Sequence, residues 1–179
     1  MKFFLYTLLV AGLGLAILSC ASSDDSTSSS GSGSTSSTST TTKSYVSVGA
    51  SGTILTSSDG SSWTSRTSGT SNTLNGVTSG NSILAAVGAS GTILTSSDGI
   101  SWTSRTSGTS NILYGITYGN STFVAVGASG TILTSSDGTS WTSRNSGTSI
   151  ILYGVTYGNS TFLAIGASGT ILTSSDGTS

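Results

Sequence analysis

GASGTILTSSDG, residues 49–60, returns letter for letter at 88–99, 127–138 and 166–177. The spacing is 39 residues each time. A fixed period near 40 marks an architecture in which one supersecondary unit is stacked on copies of itself. The third copy shows what that unit is. Residues 113–118 (LYGITY) and 122–126 (TFVAV) are rich in strand formers, and Gly119-Asn120 between them reads as a tight hairpin turn. Residues 127–130 turn the chain again, 131–134 form a third strand, 135–138 a third turn, and 140–144 a fourth strand. No segment carries the 3.6-residue apolar period of an amphipathic helix.

Four short antiparallel strands in one 39-residue unit make a propeller blade. Val124/Val126 and Ile132/Leu133 place apolar side chains on both faces of the sheet, as a blade sandwiched between two neighbours requires. The fold expected is therefore all-β, a partial β-propeller of about 3.5 repeats over residues 45–179.

The turn and strand SSDGxSW, at residues 57–63, 96–102 and 135–141 and begun again at 174, resembles the Asp-box of sialidase-like (BNR-type) propellers. The usual form has a residue between Asp and Gly that is absent here. The whole repeat also resembles the photosystem-two assembly-factor branch of these propellers, which includes bacterial lipoproteins. The resemblance implies that Asp59, Asp98, Asp137 and Asp176 accept hydrogen bonds from turn backbone, and that Trp63, Trp102 and Trp141 pack against their blades.

Those aspartates are the only carboxylates after residue 44. One per blade is too few and too scattered for a glycosidase acid/base pair about 5–10 Å apart, or for an oxygen-rich calcium site. Arg66, Arg105 and Arg144 follow each tryptophan by three residues, on the outer strand, where they read as rim charges stacking on their own tryptophan. They are not placed to converge on a substrate carboxylate as sialidase arginines do, and the chain has no Glu and no His. A Ser-His-Asp relay therefore lacks its base, and no phosphate-binding glycine loop occurs after the N-terminal segment. No enzyme activity, metal or cofactor is expected. Tyr118 and Tyr157, next to the Gly-Asn turns, are the candidate binding face, with core packing as the alternative.

The N-terminus reads as an address. Lys2 precedes the uncharged, mostly apolar residues 3–18, a stretch shorter than the roughly 20 residues that span a bilayer. It ends ILSC, residues 17–20, which resembles a bacterial lipobox. The resemblance implies cleavage after residue 19 and a lipid on Cys20, the only cysteine. Ala21 leans the address towards the outer membrane. Residues 22–44 are almost all Ser, Thr and Gly. They read as a flexible tether, so that residues 20–44 form a lipidated linker.

Net charge is −1, and charged residues make up 6% of the chain. Nothing here supplies the basic stripe that nucleic acid binding needs. The repeat pattern predicts about fourteen strands, with the first and last blades each one strand short of the four of a closed-ring blade. Truncation of a longer propeller is the favoured expectation, with self-association of an open arc as the alternative. The functional expectation is a lipid-anchored binding or scaffolding protein of the bacterial envelope, with a protein or glycan ligand. A fragment of a hydrolytic propeller enzyme and a β-solenoid stalk or adhesin are the competing readings.

Overall fold

The computed structural model of the chain describes residues 20–22 and 44–178. They form fifteen strands in four antiparallel sheets, each a simple meander. Blade 1 is β1 (Cys20–Ser22), β2 (Tyr45–Val48), β3 (Ile54–Ser57) and β4 (Thr64–Arg66). Blade 2 is β5 (Leu74–Gly80), β6 (Ile83–Gly88), β7 (Ile93–Ser96) and β8 (Thr103–Arg105). Blade 3 is β9 (Leu113–Gly119), β10 (Thr122–Gly127), β11 (Ile132–Ser135) and β12 (Thr142–Arg144). Blade 4 has β13 (Leu152–Gly158), β14 (Thr161–Gly166) and β15 (Ile171–Ser174). First strands of neighbouring blades lie side by side, whereas the fourth strands touch chiefly their own third strands. Sheets that converge on their first strands and splay at their fourth are propeller blades around an axis.

Alternation along the second strand joins the blades. In β10, Phe123 and Ala125 enter a core with Ala85, Val87 and Ile93 of blade 2. Val124 and Val126 point the other way, into a core with Leu152, Phe162 and Ala164 of blade 4. Val46, Val48 and Ile54 of blade 1 meet Leu74, Val77, Ala86 and Leu94 of blade 2 in the same manner. Each fully buried aliphatic side chain in such a seam contributes about 1.5–3 kcal/mol relative to exposure.

Two details depart from the sequence expectation. The hairpin turn after the first strand is Asn120-Ser121, one residue beyond the expected Gly119-Asn120, with φ of 44° and 57°. Both central residues are left-handed, the geometry that a right-handed strand twist favours in a two-residue loop, and Asn81-Ser82 and Asn159-Ser160 repeat it. The fourth strand begins after the tryptophan, at Thr142, so Trp141 closes the turn rather than lying within the strand.

The third departure is larger. Blade 1, expected to begin at its second strand, has a first strand: Cys20 pairs with Ser47, Ala21 with Val46 and Ser22 with Tyr45. These three residues begin the stretch read from the sequence as a linker, residues 20–44. Backbone N–H and C=O groups on the open edge of β2 need partners, and any extended segment can supply them. Cys20 takes the register position held by Val77, Ile116 and Val155 in the later blades. Residues 1–19 and 23–43, which include the expected signal and most of the tether, lie outside the described residues.

Candidate functional site: the inner strands

Each complete Ser-Ser-Asp-Gly turn is a closed hydrogen-bond set. Asp98 Oδ1 accepts from the N–H of Ile100 and of Ser101, both at 2.8 Å, and from Ser96 Oγ at 2.9 Å. Ser96 Oγ in turn accepts from Gly99 N–H at 2.8 Å. Asp59 and Asp137 repeat the pattern within 0.1 Å. Asp176 accepts from Thr178 N–H at 2.8 Å and Ser174 Oγ at 3.0 Å. Donors aimed at a carboxylate favour its charged form. The backbone N–H groups of Ser62 and Ser61, then the Ser57 hydroxyl, hold Asp59 down at about 2. The backbone of Ser101 and Ile100, then the Ser96 hydroxyl, do the same for Asp98, also to about 2. Asp137 is lowered further, first by Ser140 backbone and then by the Thr139 hydroxyl. A carboxylate so committed to its own turn is a poor proton carrier at neutral pH.

Trp102 and Trp141 are half-buried against the seams to the preceding blades, and their Nε1 atoms donate to Gly99 O at 3.3 Å and Gly138 O at 3.0 Å. Trp63 is exposed. A cleft of about 250 Å³ between blades 3 and 4 is lined by Val124, Ile132, Val155, Phe162 and Leu172. One repeat earlier, the equivalent place holds Trp141. The cleft therefore belongs to the construction of a blade rather than to ligand chemistry.

The arginines do something other than the expected stacking. Nε of Arg66, Arg105 and Arg144 donates to Oγ1 of Thr56, Thr95 and Thr134 on the adjacent third strand, at 2.8 Å in all three blades. A planar guanidinium has five donors in a fixed fork, so this bond orients the remainder along the outer rim.

Tyr118 and Tyr157, the sequence candidates for a binding face, are wedged between blades. Tyr118 packs on Phe123 and Tyr157 on Phe162, with ring centroids 4.6 Å apart in both pairs. Tyr118 also covers Gly80 of blade 2, and Tyr157 covers Gly119 of blade 3.

A more exposed aromatic lies elsewhere on the same strands. In β5, β9 and β13 the pairing with the second strand shifts by one residue, leaving Asn75, Tyr114 and Tyr153 as the extra residue of a β-bulge. A bulge re-aims its side chain out of the ladder. Tyr114 and Tyr153 come together edge to face, centroids 5.6 Å apart at 61°. Tyr153 is 52% exposed. Asn75, buried at the third bulge, donates from Nδ2 to Leu113 O of the next blade at 2.8 Å. The result is a row across the inner strands, polar at blade 2 and aromatic at blades 3 and 4, beside strand edges that face the axis. Period-based reading missed it, because a bulge is a property of register. The tyrosine at the second position of both β9 and β13 was the available signal.

These blades define a partial β-propeller. No protein-family model matches the chain, and no curated protein matches its sequence. Among solved structures it is similar to YCF48 bound to a D1 peptide, with 22% identity and a TM-score of 0.54, covering 73% of this chain and 45% of that one. It is likewise similar to YCF48 from Cyanidioschyzon merolae, with 21% identity and a TM-score of 0.56, covering 73% of this chain and 48% of that one. The likeness is one of fold, and the chain spans about half the length of those structures.

Proposed function

We propose that this chain is a non-enzymatic binding or scaffolding protein of the bacterial cell envelope, anchored by lipid on Cys20, whose ligand is a segment of another protein. The observation that carries the binding half is the bulge row. It presents two adjacent tyrosines beside the free edges of β9 and β13, with Asn75 bonded into the same surface. Aromatic rings supply contact area at low entropic cost, and open strand edges supply main-chain hydrogen bonds to an extended peptide. A similar fold solved with a bound peptide adds support. The anchoring half rests on the lipobox-like ILSC sequence at residues 17–20. With Cys20 at the start of β1, a lipid there would seat blade 1 against the bilayer instead of lifting it on a tether.

Both halves are testable separately. A photo-crosslinking amino acid at Tyr153 should capture one discrete protein that the same probe at Ser104, on the exposed outer strand, does not. Purified, that protein should bind the wild-type chain at least tenfold more tightly than Tyr153→Ala. Equal capture at both positions sinks the inner-strand site. The intact mass of the protein from membranes should equal a chain beginning at Cys20 plus acyl groups, and a mass without lipid removes the anchor.

A further inference from the structure

We propose that the inner edge of β2 (Tyr45–Val48) is an exchangeable strand site: β1 half fills it in the resting chain, and an extended segment of a partner protein, patterned like the later first strands, replaces β1. The site is separate from the bulge row, and it rests on one part of the reading above, cleavage before Cys20.

The repeat shows what a filled site looks like. In blades 2, 3 and 4 the second strand pairs with its first strand at six positions. β1 supplies three, with Cys20, Ala21 and Ser22 standing where Val77, Thr78 and Ser79 stand one blade later. Val87 and Gly88 pair with Gly76 and Leu74, but their blade 1 counterparts, Val48 and Gly49, have no partner in β1. The adjoining turn is incomplete at the same end. The N–H groups of Ala89, Ala128 and Ala167 donate to the carbonyls of Thr73, Ile112 and Ile151, each just before a first strand, at 2.8, 2.8 and 2.9 Å. Ala50, their counterpart, is exposed and has no such bond among the described residues. A chain cut before Cys20 carries no upstream residues of its own to finish the strand.

The pairing of β1 is also handicapped by its connection. Residues 81–82 join β5 to β6, whereas residues 23–44 join β1 to β2. Chain-closure entropy makes a loop ten times longer roughly thirtyfold less favourable to close. A strand that makes all six pairs, and accepts from Ala50 N–H as well, competes against three pairs held at that disadvantage. Strand addition of this kind draws affinity from main-chain bonds and specificity from alternate side chains. Here the alternate positions that face the next blade demand small residues. A β-carbon on Gly115 would lie 3.2 Å from Gly154 Cα, and one on Gly76 would lie 3.5 Å from Ile116 N. The partner segment is therefore extended and uncharged, with glycine where the later first strands have Gly76, Gly115 and Gly154.

The chain's own repeat supplies the probe: the amidated peptide ILYGITYG, residues 112–119, with a fluorophore at its N-terminus. Fluorescence anisotropy follows its binding to protein purified from membranes, whose intact mass is measured first. A chain beginning at Cys20 should bind the peptide at micromolar concentration, and the peptide carrying Gly115→Val at least tenfold more weakly. Ser22 and Tyr45 are direct cross-strand partners, within disulfide reach. Ser22→Cys with Tyr45→Cys, oxidised to pin β1 in place, should weaken binding at least tenfold with unchanged circular dichroism, and dithiothreitol should restore it. Binding that ignores the disulfide or the Gly115→Val change puts the peptide elsewhere and overturns the proposal. So does a chain beginning at Cys20 that does not bind. A mass that retains residues 1–19 overturns it by a different route, by removing the cleavage on which the open half of the site depends.

Discussion

The ring of Tyr157 occupies the space that a side chain on Gly119 would need: a β-carbon at 119 would lie 2.1 Å from Tyr157 Cγ. Gly80 stands in the same relation to Tyr118 one blade earlier. The aromatic seam between blades depends on the absence of a side chain at the end of the preceding first strand. Gly119→Ala is expected to destabilise the domain by about 1–3 kcal/mol, the usual cost of forcing atoms into a filled site. Chemical denaturation of Gly119→Ala, Tyr157→Ala and the double variant checks this. The double variant should lose less than the sum of the two, and additivity would refute the contact.

The hairpin turns make a prediction of opposite sign. Ser121 sits at φ 57°, in the left-handed region where a β-carbon costs roughly 1–2 kcal/mol. Glycine avoids that strain but loses about 0.5–1 kcal/mol more backbone entropy on folding. Ser121→Gly should therefore raise stability by up to about 1 kcal/mol, with Ser82→Gly and Ser160→Gly close to additive. Thermal melts of the single and triple variants measure it.

Acid should loosen the turns over a defined window. Asp59 and Asp98 titrate at about 2 in the folded chain against an ordinary value of 3.8. Their contribution is fully present above the ordinary value and is lost as pH falls from about 4 to 2. Unfolding free energy should be flat between pH 7 and 5 and fall below pH 4. Asp98→Asn, which keeps an acceptor but not the charge, should flatten part of that fall. Asp98→Ala should lower the melting temperature more than Asp98→Asn at neutral pH. An unchanged acid limb in Asp98→Asn would refute the assignment.

The tryptophans should separate by blade. Trp141→Ala removes a half-buried ring from the seam with blade 2 and is expected to cost about 3 kcal/mol. Trp63→Ala should cost less than about 1 kcal/mol, because exposed positions contribute little. Equal losses would mean that Trp63 is covered in solution.

The blade pattern was legible because both strand faces must be apolar and turns recur at a fixed interval. Val124 and Val126 alternating with Phe123 and Ala125 is enough to define two seams. What sequence left hidden depends on partners rather than patterns. Cys20–Ser22 has no repeat-like residues, and it pairs with a strand edge that composition does not reveal. The bulges at Asn75, Tyr114 and Tyr153 arise from a one-residue slip in register, so the exposed tyrosine is Tyr153 rather than Tyr118 or Tyr157. The arginines were placed on the outer strand correctly, but their bond to the neighbouring threonine rests on cross-strand geometry.

Near-identity of the repeats also bears on how the chain finds its structure. β10 (Thr122–Gly127) pairs natively with β11 (Ile132–Ser135), yet β15 (Ile171–Ser174) offers it the same four letters, ILTS. Side chains cannot tell the two partners apart. Only the intervening chain can, since the wrong pairing closes a loop roughly ten times longer, a penalty of about 2 kcal/mol or some thirty to one. Refolding should therefore leave a small population of molecules with exchanged hairpins, sorted by polymer entropy instead of by side-chain recognition.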